Sequence, residues 1–388
     1  MSLFKRGTTG EYVNTIAGGE PVRAFVPAPL PPRPPLEFSS ARQQLLERAT
    51  LALGRLNSIA LLLPEPDIFL YAYVRREAVL SSQIEGTQSS LSDLLLFELP
   101  QAPGVPFDDV VEVSNYVAAL DHGMSRLAAG FPLCNRLLRE IHAILLSRGR
   151  GSDKDPGAFR HSQNWIGGTR PGNARFVPPP PNRVESCMGE LERFLHDKTQ
   201  PCPSLVKAAL AHVQFETIHP FLDGNGRLGR LLISFILHHE GLLPKPLLYL
   251  SLYFKQHRQY YYDLLDSVRR EGGWERWLDF FLEGVEQTAI DAVDTAKRLV
   301  DLFKQDEDRI RLLGRRAGTV LRCYRTLCHR PVRTINDIRK ATGLSWPAAA
   351  KGIRELESLG IVRELTKKRR NRVYAYATSL NILNEGEQ

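Results

Sequence analysis

The chain has 388 residues, of which 43% are hydrophobic and 24% charged, and its formal net charge is +8. This length fits about two or three domains, and no stretch approaches the roughly 18–20 uninterrupted apolar residues of a membrane helix, so no membrane partner is expected. The five cysteines form no C-x-x-C pair, which argues against a disulfide framework and a zinc site. Because no apolar leader follows Lys5 and Arg6, we expect a cytoplasmic protein.

The N-terminal region is predicted to be irregular over residues 1–40 and helical beyond about Ser40. Residues 28–35 read Ala-Pro-Leu-Pro-Pro-Arg-Pro-Pro. We expect this polyproline stretch to lie on the domain as a stiff strap, and a ligand for a signalling domain is the alternative.

The helix that leads to Gly86 carries an unexpected acid near its end. Asp67 can cap a helix that runs from about Ile68, and Gly86 can end it. Ser81 and Glu85 are four residues apart, so they share a face of the last turn. By composition alone this is a solvated last turn, but a carboxylate at a helix C-terminus slightly opposes the helix dipole, which invites another explanation.

A β-hairpin is predicted within residues 158–180, because two short β-prone runs flank a turn rich in Gly, Pro and Asn. The residues of interest in these runs are Ile166, Gly167, Gly168, Arg175, Phe176 and Val177. An ordinary surface hairpin is the alternative to a functional one.

Residues 219–230 are the most informative stretch and read His-Pro-Phe-Leu-Asp-Gly-Asn-Gly-Arg-Leu-Gly-Arg. A helix is predicted before them, over residues 203–217. A second buried helix is predicted to begin near Gly226, because the apolar residues from Leu228 to Phe235 recur at helical spacing. The stretch is therefore a loop between two buried helices.

The glycines of this loop predict an anion site at a helix N-terminus. Gly224, Gly226 and Gly229 let successive N–H groups point into one hollow, where the helix dipole also favours negative charge. Arg227 and Arg230 share a face of the first turn and can fork onto phosphate oxygens. The side chain of Asn225 can donate to phosphate as well.

The same loop holds one acid and one base. A carboxylate among phosphate-binding groups is unfavourable unless a cation intervenes, so Asp223 is the predicted Mg²⁺ ligand. His219 can accept a proton near neutral pH and is the candidate general base.

The C-terminal region differs in charge. Residues 309–388 contain 18 Lys and Arg against 6 Asp and Glu, a net charge of +12, which leaves −4 for residues 1–308. Two helices at about 334–342 and 345–359, followed by two strands and a basic turn, resemble a winged helix. Contacts with DNA are predicted for Trp346, Lys351, Arg354, Lys367, Lys368, Arg369 and Arg370. Protein contacts or a homodimer are the alternative.

Residues 219–230 match every fixed position of the Fic signature, His-x-Phe-x-(Asp/Glu)-Gly-Asn-Gly-Arg-x-x-Arg, so the chain resembles the Fic family. The resemblance implies transfer of AMP from ATP to a hydroxyl of a target protein or of the protein itself. His219 is then the base and Asp223 holds Mg²⁺. Gly224, Asn225 and Gly226 form the anion hole, and Arg227 and Arg230 bind the phosphate tail. Doc kinases, which carry Lys where this chain has Gly226, are the less similar branch.

The resemblance also assigns the surrounding parts. The hairpin resembles the Fic flap, whose edge strand pairs with a target segment. Ser81, Glu85 and Gly86 resemble the inhibitory motif (Ser/Thr)-x-x-x-Glu-(Gly/Asn), which implies an ion pair between Glu85 and Arg230 that blocks productive ATP binding.

The predicted fold is mainly α. It has an N-terminal extension with the inhibitory helix (1–105), a Fic core (106–300) and a winged helix (309–388). Two alternative functions stay open: a transcription regulator with a nucleotide-sensing core, and a hydrolase that removes AMP from modified protein.

Overall fold

The computed structural model describes residues 6–62, 66–98, 107–366 and 371–385. The fold of this part is mainly helical, as predicted. Its α-helices are α1 (Ser40–Leu62), α2 (Pro66–Ile84), α3 (Leu91–Phe97), α4 (Phe107–Ala128), α5 (Asn135–Leu145), α6 (Pro181–His196), α7 (Ser204–Ile218), α8 (Asn225–His239), α9 (Ser251–Gln256), α10 (Arg258–Glu271), α11 (Trp274–Arg311), α12 (Ala317–His329), α13 (Ile335–Thr342), α14 (Trp346–Ser358) and α15 (Ala377–Leu383). Its strands are β1 (Gly10–Ala17), β2 (Glu20–Pro27), β3 (Val332–Thr334), β4 (Arg363–Glu364) and β5 (Val373–Ala375). Within these ranges no helix combines the length and the apolar character that a membrane crossing requires, and all five cysteines are free.

The prediction that residues 1–40 are irregular is wrong, because β1 and β2 form an antiparallel hairpin. Gly18 and Gly19 form its two-residue turn with φ values of 55° and 81°, the left-handed backbone that such hairpin turns require. Val22 and Ala24 are buried whereas Arg23 between them is exposed, which is the alternation of a strand with one covered face.

The two helices around the motif lie in the centre of the main core. Every residue of α7 from Leu205 to Ile218 is buried, and α8 is buried from Leu228 to Leu237. The long helix α11 packs against α7, and the Trp277 indole N–H donates to the Ala209 carbonyl at 2.9 Å. A loop carried by two such helices has little freedom to move, which favours precise positioning of its side chains.

The helix that ends in the predicted inhibitory motif packs on the same core. α2 contacts α4, α8 and α9. It begins at Pro66, two residues before the predicted start, and ends at Ile84. The left-handed backbone of Gly86, with φ of 100°, then turns the chain away.

The C-terminal region follows the order helix, strand, helix, helix, strand, strand, with its three strands paired in the order β3-β5-β4. Thr334 caps α13 in a capping box with Asp337, and Gly343 ends it with φ of 68°. The strand β3 was not predicted. The sequence placed a domain boundary between residues 300 and 309, and α11 runs through this segment without a break.

Candidate active site

The conformation of the loop between α7 and α8 is fixed by two left-handed backbone positions and by the side-chain amide of Asn225. His219 ends α7 with a left-handed backbone (φ 48°, ψ 61°), and Gly224 precedes α8 with φ of 75°. The side chain of Asn225 accepts from the Phe221 N–H at 2.9 Å and donates to the Phe221 carbonyl at 2.8 Å. Phe221 is fully buried and anchors the loop in the core.

Three residues predicted to bind phosphate make other contacts in the structure. The amide of Asn225 is engaged by the Phe221 backbone, so this side chain shapes the loop instead of donating to phosphate. A Cβ on Gly229 would lie 2.5 Å from Glu216 Oε1, so this glycine allows α7 and α8 to pack closely and does not line the hollow. The Gly224 N–H donates to Asp223 Oδ1 at 2.6 Å.

The backbone donors that stay free for an anion are those of the first turn of α8. The backbone N–H groups of Asn225, Gly226 and Arg227 have no acceptors within the helix, because they belong to its first turn. They lie at the positive end of the helix dipole, which favours an anionic group at this point.

His219 is partly buried at the edge of this hollow. Burial, and then the charge of Arg160, lower the pKa of its imidazole to about 4, although the nearby Glu85 acts in the opposite direction. At neutral pH the ring is therefore uncharged, which is the form that can accept a proton.

Asp223 fits a magnesium ion only in part. About a third of its side chain is exposed (35%), and its Oδ1 lies 3.9 Å from Arg227 Nη2. In the described ranges no group of three or more His, Cys, Asp or Glu side chains could hold a metal ion. One carboxylate with solvent access suits Mg²⁺, which keeps several waters and binds through substrate phosphates.

Arg230 donates three hydrogen bonds to Ser81 of α2 and to Glu85 just beyond its end. Its Nε donates to Ser81 Oγ at 2.8 Å, and its Nη2 donates to the Ser81 carbonyl at 2.9 Å and to Glu85 Oε1 at 2.8 Å. The expected ion pair between Glu85 and Arg230 is thus present. Burial acts to lower the pKa of Arg230, but Glu85, Tyr261 and Glu216 together outweigh it, so the pKa of Arg230 is raised.

The Glu85 carboxylate also covers the start of α8. A Cβ on Gly226 would lie 2.2 Å from Glu85 Oε1, so only a glycine leaves room for the carboxylate here. Burial acts to raise the pKa of Glu85, but Arg230 and Arg227 outweigh it, and the net pKa lies below the ordinary value of 4.5. An anion therefore already occupies the place that the helix N-terminus offers to phosphate.

Arg227 has a partner that the sequence did not reveal. Its Nη1 donates to Glu112 Oε2 of α4 at 3.0 Å, with 1% and 3% of the two side chains exposed. Arg150 approaches the other oxygen of Glu112 at 3.4 Å. Arg227 Nε and Nη2 are buried and have no hydrogen-bond acceptor among the described residues, so they remain available to an anionic ligand.

Comparison with known proteins agrees with this geometry. The family model described as "Fic/DOC family N-terminal" matches residues 43–125, and the one described as "Fic/DOC family" matches residues 132–237. The chain therefore contains the N-terminal domain and the core domain of the Fic/DOC family. The first match contains α2 with Glu85, and the second contains the whole loop from His219 to Arg230.

Curated relatives of this Fic/DOC chain share part of its length. A protein of Aedes aegypti named protein adenylyltransferase Fic is 33% identical over 184 residues, which cover 46% of this chain and 34% of the relative. A protein of the same name from Culex quinquefasciatus is 30% identical over 226 residues, covering 54% and 42%. The chain thus spans less than half the length of these two relatives.

Two solved structures share the fold. A Fic family protein from Desulfovibrio desulfuricans aligns with a TM-score of 0.58 at 22% identity and covers 89% of this chain and 98% of its own. A Fic domain containing signaling protein from Bacteroides thetaiotaomicron aligns with a TM-score of 0.51 at 18% identity, covering 66% and 97%.

The Fic/DOC loop has a second brace in His142 of α5, which the sequence analysis missed. His142 Nδ1 accepts from the Gly157 N–H at 2.8 Å, so Nε2 carries the proton that bonds the Asp223 carbonyl at 3.0 Å. Its ring stacks on Phe221 with centroids 3.7 Å apart. Burial lowers the pKa of His142 to about 4, which keeps this arrangement at neutral pH. A single histidine on an apolar helix face gives no sequence signal for such a role.

The predicted flap of the Fic/DOC domain is shorter than a regular hairpin. Only Ile166 and Phe176 form an antiparallel bridge, and Gly167 and Gly168 follow with φ values of 68° and 76°. Phe176 is buried beneath Arg269, and the Val177 carbonyl accepts from the Phe25 N–H of β2 at 2.9 Å. The N-terminal hairpin therefore occupies the Val177 edge, and the other edge, at Ile166, is the one that a target segment could approach.

The predicted DNA contacts lie more than 100 residues after this site in the chain. Trp346, Lys351 and Arg354 are exposed on α14. Trp346 and Arg354 line a cavity of about 540 Å³ together with Arg372 and Tyr374. The other four predicted contacts, Lys367, Lys368, Arg369 and Arg370, lie outside the described residues.

Proposed function

We propose that the protein transfers AMP from ATP to a hydroxyl side chain of a target protein or of itself. The observation that carries this proposal is the meeting of three groups in one loop of a Fic/DOC domain. These are a neutral imidazole at His219, the backbone N–H groups of the α8 first turn, and the buried guanidinium groups of Arg227 and Arg230.

Each group has a role in this proposal. His219 accepts the proton of the attacking hydroxyl. General-base catalysis of this kind accelerates a reaction by about 10²–10⁴-fold. The N–H groups of the α8 first turn and Arg227 bind the phosphates, and Asp223 would hold Mg²⁺ against them. When bound, Mg²⁺ would neutralise part of the phosphate charge. The phosphates of ATP would supply the ligands of the ion that the protein does not.

Glu85 is the brake in this proposal. Its carboxylate pairs with Arg230 and lies against Gly226, so a phosphate in the same place would meet a like charge and an occupied arginine. While Glu85 is in this place, ATP binds in an orientation from which AMP is not transferred. Because Glu85 lies just beyond the end of α2 with 31% of its side chain exposed, it can leave without opening the core.

The proposal is tested with ATP labelled on the α-phosphate. The parent, Glu85→Gly and the double variant Glu85→Gly/His219→Ala are compared for label on protein. We expect Glu85→Gly to label about tenfold or more above the parent and the double variant to lose this gain. Glu98→Gly is the matched control, because it breaks another ion pair of the N-terminal region, with Arg75 at 2.7 Å, without touching the loop.

The same assay separates the alternatives. ATP binding without any label, even in Glu85→Gly, would favour a nucleotide-sensing regulator. AMP released from labelled protein by the parent and lost in Glu85→Gly would favour a hydrolase in which Glu85 orients water.

We also propose that the C-terminal region contacts DNA. The order of its elements, helix, strand, helix, helix and two strands, supports a winged helix, and Lys351 and Arg354 are exposed on α14. Lys351→Ala should weaken binding to duplex DNA at every sequence and reduce the salt slope by about 1. Lys297→Ala, an exposed lysine of α11, should leave the slope unchanged, and DNA binding that does not depend on salt would contradict the proposal.

A further inference from the structure

Arg160 is a buried arginine that has no carboxylate partner among the described residues. Only 2% of the residue is exposed. Burial lowers its pKa to about 10, although the Cys187 thiol acts in the opposite direction. Burying a cation without a counter-ion costs free energy. The hydrogen bonds that the Arg160 N–H groups donate must therefore offset this cost.

The guanidinium group of Arg160 joins three segments through backbone carbonyls. Nε donates to the His219 carbonyl at 2.8 Å, and Nη2 donates to Ile218 at 3.4 Å and to Pro179 at 2.5 Å. Nη1 donates to the Ser162 carbonyl at 3.2 Å. Ser162 and Pro179 stand at the two ends of the flap, so one side chain fixes the base of the flap against the end of α7.

The backbone at His219 needs such support. Its φ of 48° lies in the left-handed region, which is unfavourable for any residue other than glycine. The last carbonyls of a helix also lack donors within the helix. Arg160 supplies donors to two of them, at Ile218 and His219, and thereby stabilises the turn that directs the imidazole.

We propose that Arg160 is a positioning residue for the transfer proposed above: it holds the imidazole of His219 and both ends of the flap in one geometry. This inference rests on the proposed function. A target segment paired with the flap is then presented to the base at a fixed distance, and a shift of either part moves the acceptor hydroxyl away from it.

The charge of Arg160 acts on the base as well. Burial is the main cause that lowers the pKa of His219 to about 4, and Arg160 is the next. Arg269 of α10 acts in the same direction, whereas Glu85 near the end of α2 and the backbone of Glu216 in α7 raise it. Loss of the Arg160 charge therefore moves the pKa of His219 towards its ordinary value of 6.5.

Two substitutions separate geometry from charge. Arg160→Lys keeps the charge but cannot reach all four carbonyls, and Arg160→Gln loses both. The control is Arg139→Gln, because Arg139 donates to a single carbonyl of the neighbouring segment, Gly157, at 2.7 Å. The pKa of His219 is measured by NMR on protein with ¹³C-labelled histidine, and His219→Gln assigns its signal.

We expect the His219 pKa to rise in Arg160→Gln, to change less in Arg160→Lys, and to stay unchanged in Arg139→Gln. In the Glu85→Gly background, kcat for transfer should fall about tenfold or more in both Arg160 variants, while KM for ATP stays within about twofold. A purely structural arginine would lower stability without moving the His219 titration.

An unchanged kcat in folded Arg160→Lys or Arg160→Gln would overturn the proposal, and so would an unchanged His219 pKa in folded Arg160→Gln. If Arg160→Gln does not fold, the kcat of Arg160→Lys, which keeps the charge, still decides it. If Glu85→Gly puts no label from ATP on protein, the proposed function is overturned. This outcome does not depend on the pKa measured for His219.

Discussion

Two arginine–glutamate pairs stand three residues apart at the start of α8, and they differ in what surrounds the acid. Glu112, which pairs with Arg227, lies within α4 with 3% of its side chain exposed. Glu85, which pairs with Arg230, lies just beyond the end of α2 with 31% of its side chain exposed. The arginines themselves are equally buried, at 1% and 2% of their side chains.

The difference indicates which pair is permanent and which can open. A buried acid in the middle of a helix cannot leave its arginine without stranding a charge in the core. Glu85 is already partly exposed and can rotate into water, and Ser81 still accepts two hydrogen bonds from Arg230 when it does. In the proposed function, the same chemical pair therefore holds Arg227 in place for phosphate and keeps Arg230 from it.

The largest effect is expected from the permanent pair. Glu112→Leu leaves Arg227 without its hydrogen-bonded counter-ion and should lower the free energy of unfolding by about 3 kcal/mol in urea titrations. A second change, Arg227→Met, should return most of this loss, because an apolar pair of similar volume replaces the ions. If the double variant is no more stable than Glu112→Leu, the loss does not come from the stranded charge.

A smaller cost in stability is expected from the pair that can open. Glu85→Gly should lower the free energy of unfolding by about 1 kcal/mol, because Ser81 still accepts two hydrogen bonds from Arg230. Mg²⁺ and ATP should then raise the Tm of this variant more than that of the parent, by preferential binding to the folded state. Equal shifts would mean that Glu85 does not compete with the nucleotide.

The brake should be insensitive to pH near neutrality. The net pKa of Glu85 lies below 4.5, so its contribution to stability is present above the unfolded pKa and is lost only as the pH falls through the folded one. The ratio of label in Glu85→Gly to label in the parent should therefore stay within about threefold from about pH 6 to about pH 8. A steep change would instead implicate Glu77 or Glu216, whose pKa values burial raises to about 7 beside Arg230.

The smallest effect is expected at the rim of the permanent pair. Arg150 lies 3.4 Å from Glu112, but half of its side chain is exposed (50%). Arg150→Ala should cost less than about 1 kcal/mol in the same urea titration, as exposed ion pairs do. A loss as large as that of Glu112→Leu would show that Glu112 depends on both arginines.

The sequence alone predicted the parts that are encoded locally. The helices on either side of residues 219–230 follow from apolar spacing, and the loop between them follows from its glycines. Ser81 and Glu85 were assigned from four-residue spacing and a family resemblance, and the structure places both on Arg230. The hairpin of β1 and β2 was also within reach, because Gly18 and Gly19 between alternating residues are a local signal that was overlooked.

Only the tertiary structure decided which charged side chains pair with each other and which backbone carbonyls accept their hydrogen bonds. Glu112 and Arg227 are 115 residues apart, and Arg160 reaches His219 across 59 residues. No periodicity or spacing encodes such contacts, because they depend on how whole helices pack. The sequence therefore determined the chemistry available in the loop, whereas packing decided which groups are engaged, which are free for a ligand, and which amide only shapes the turn.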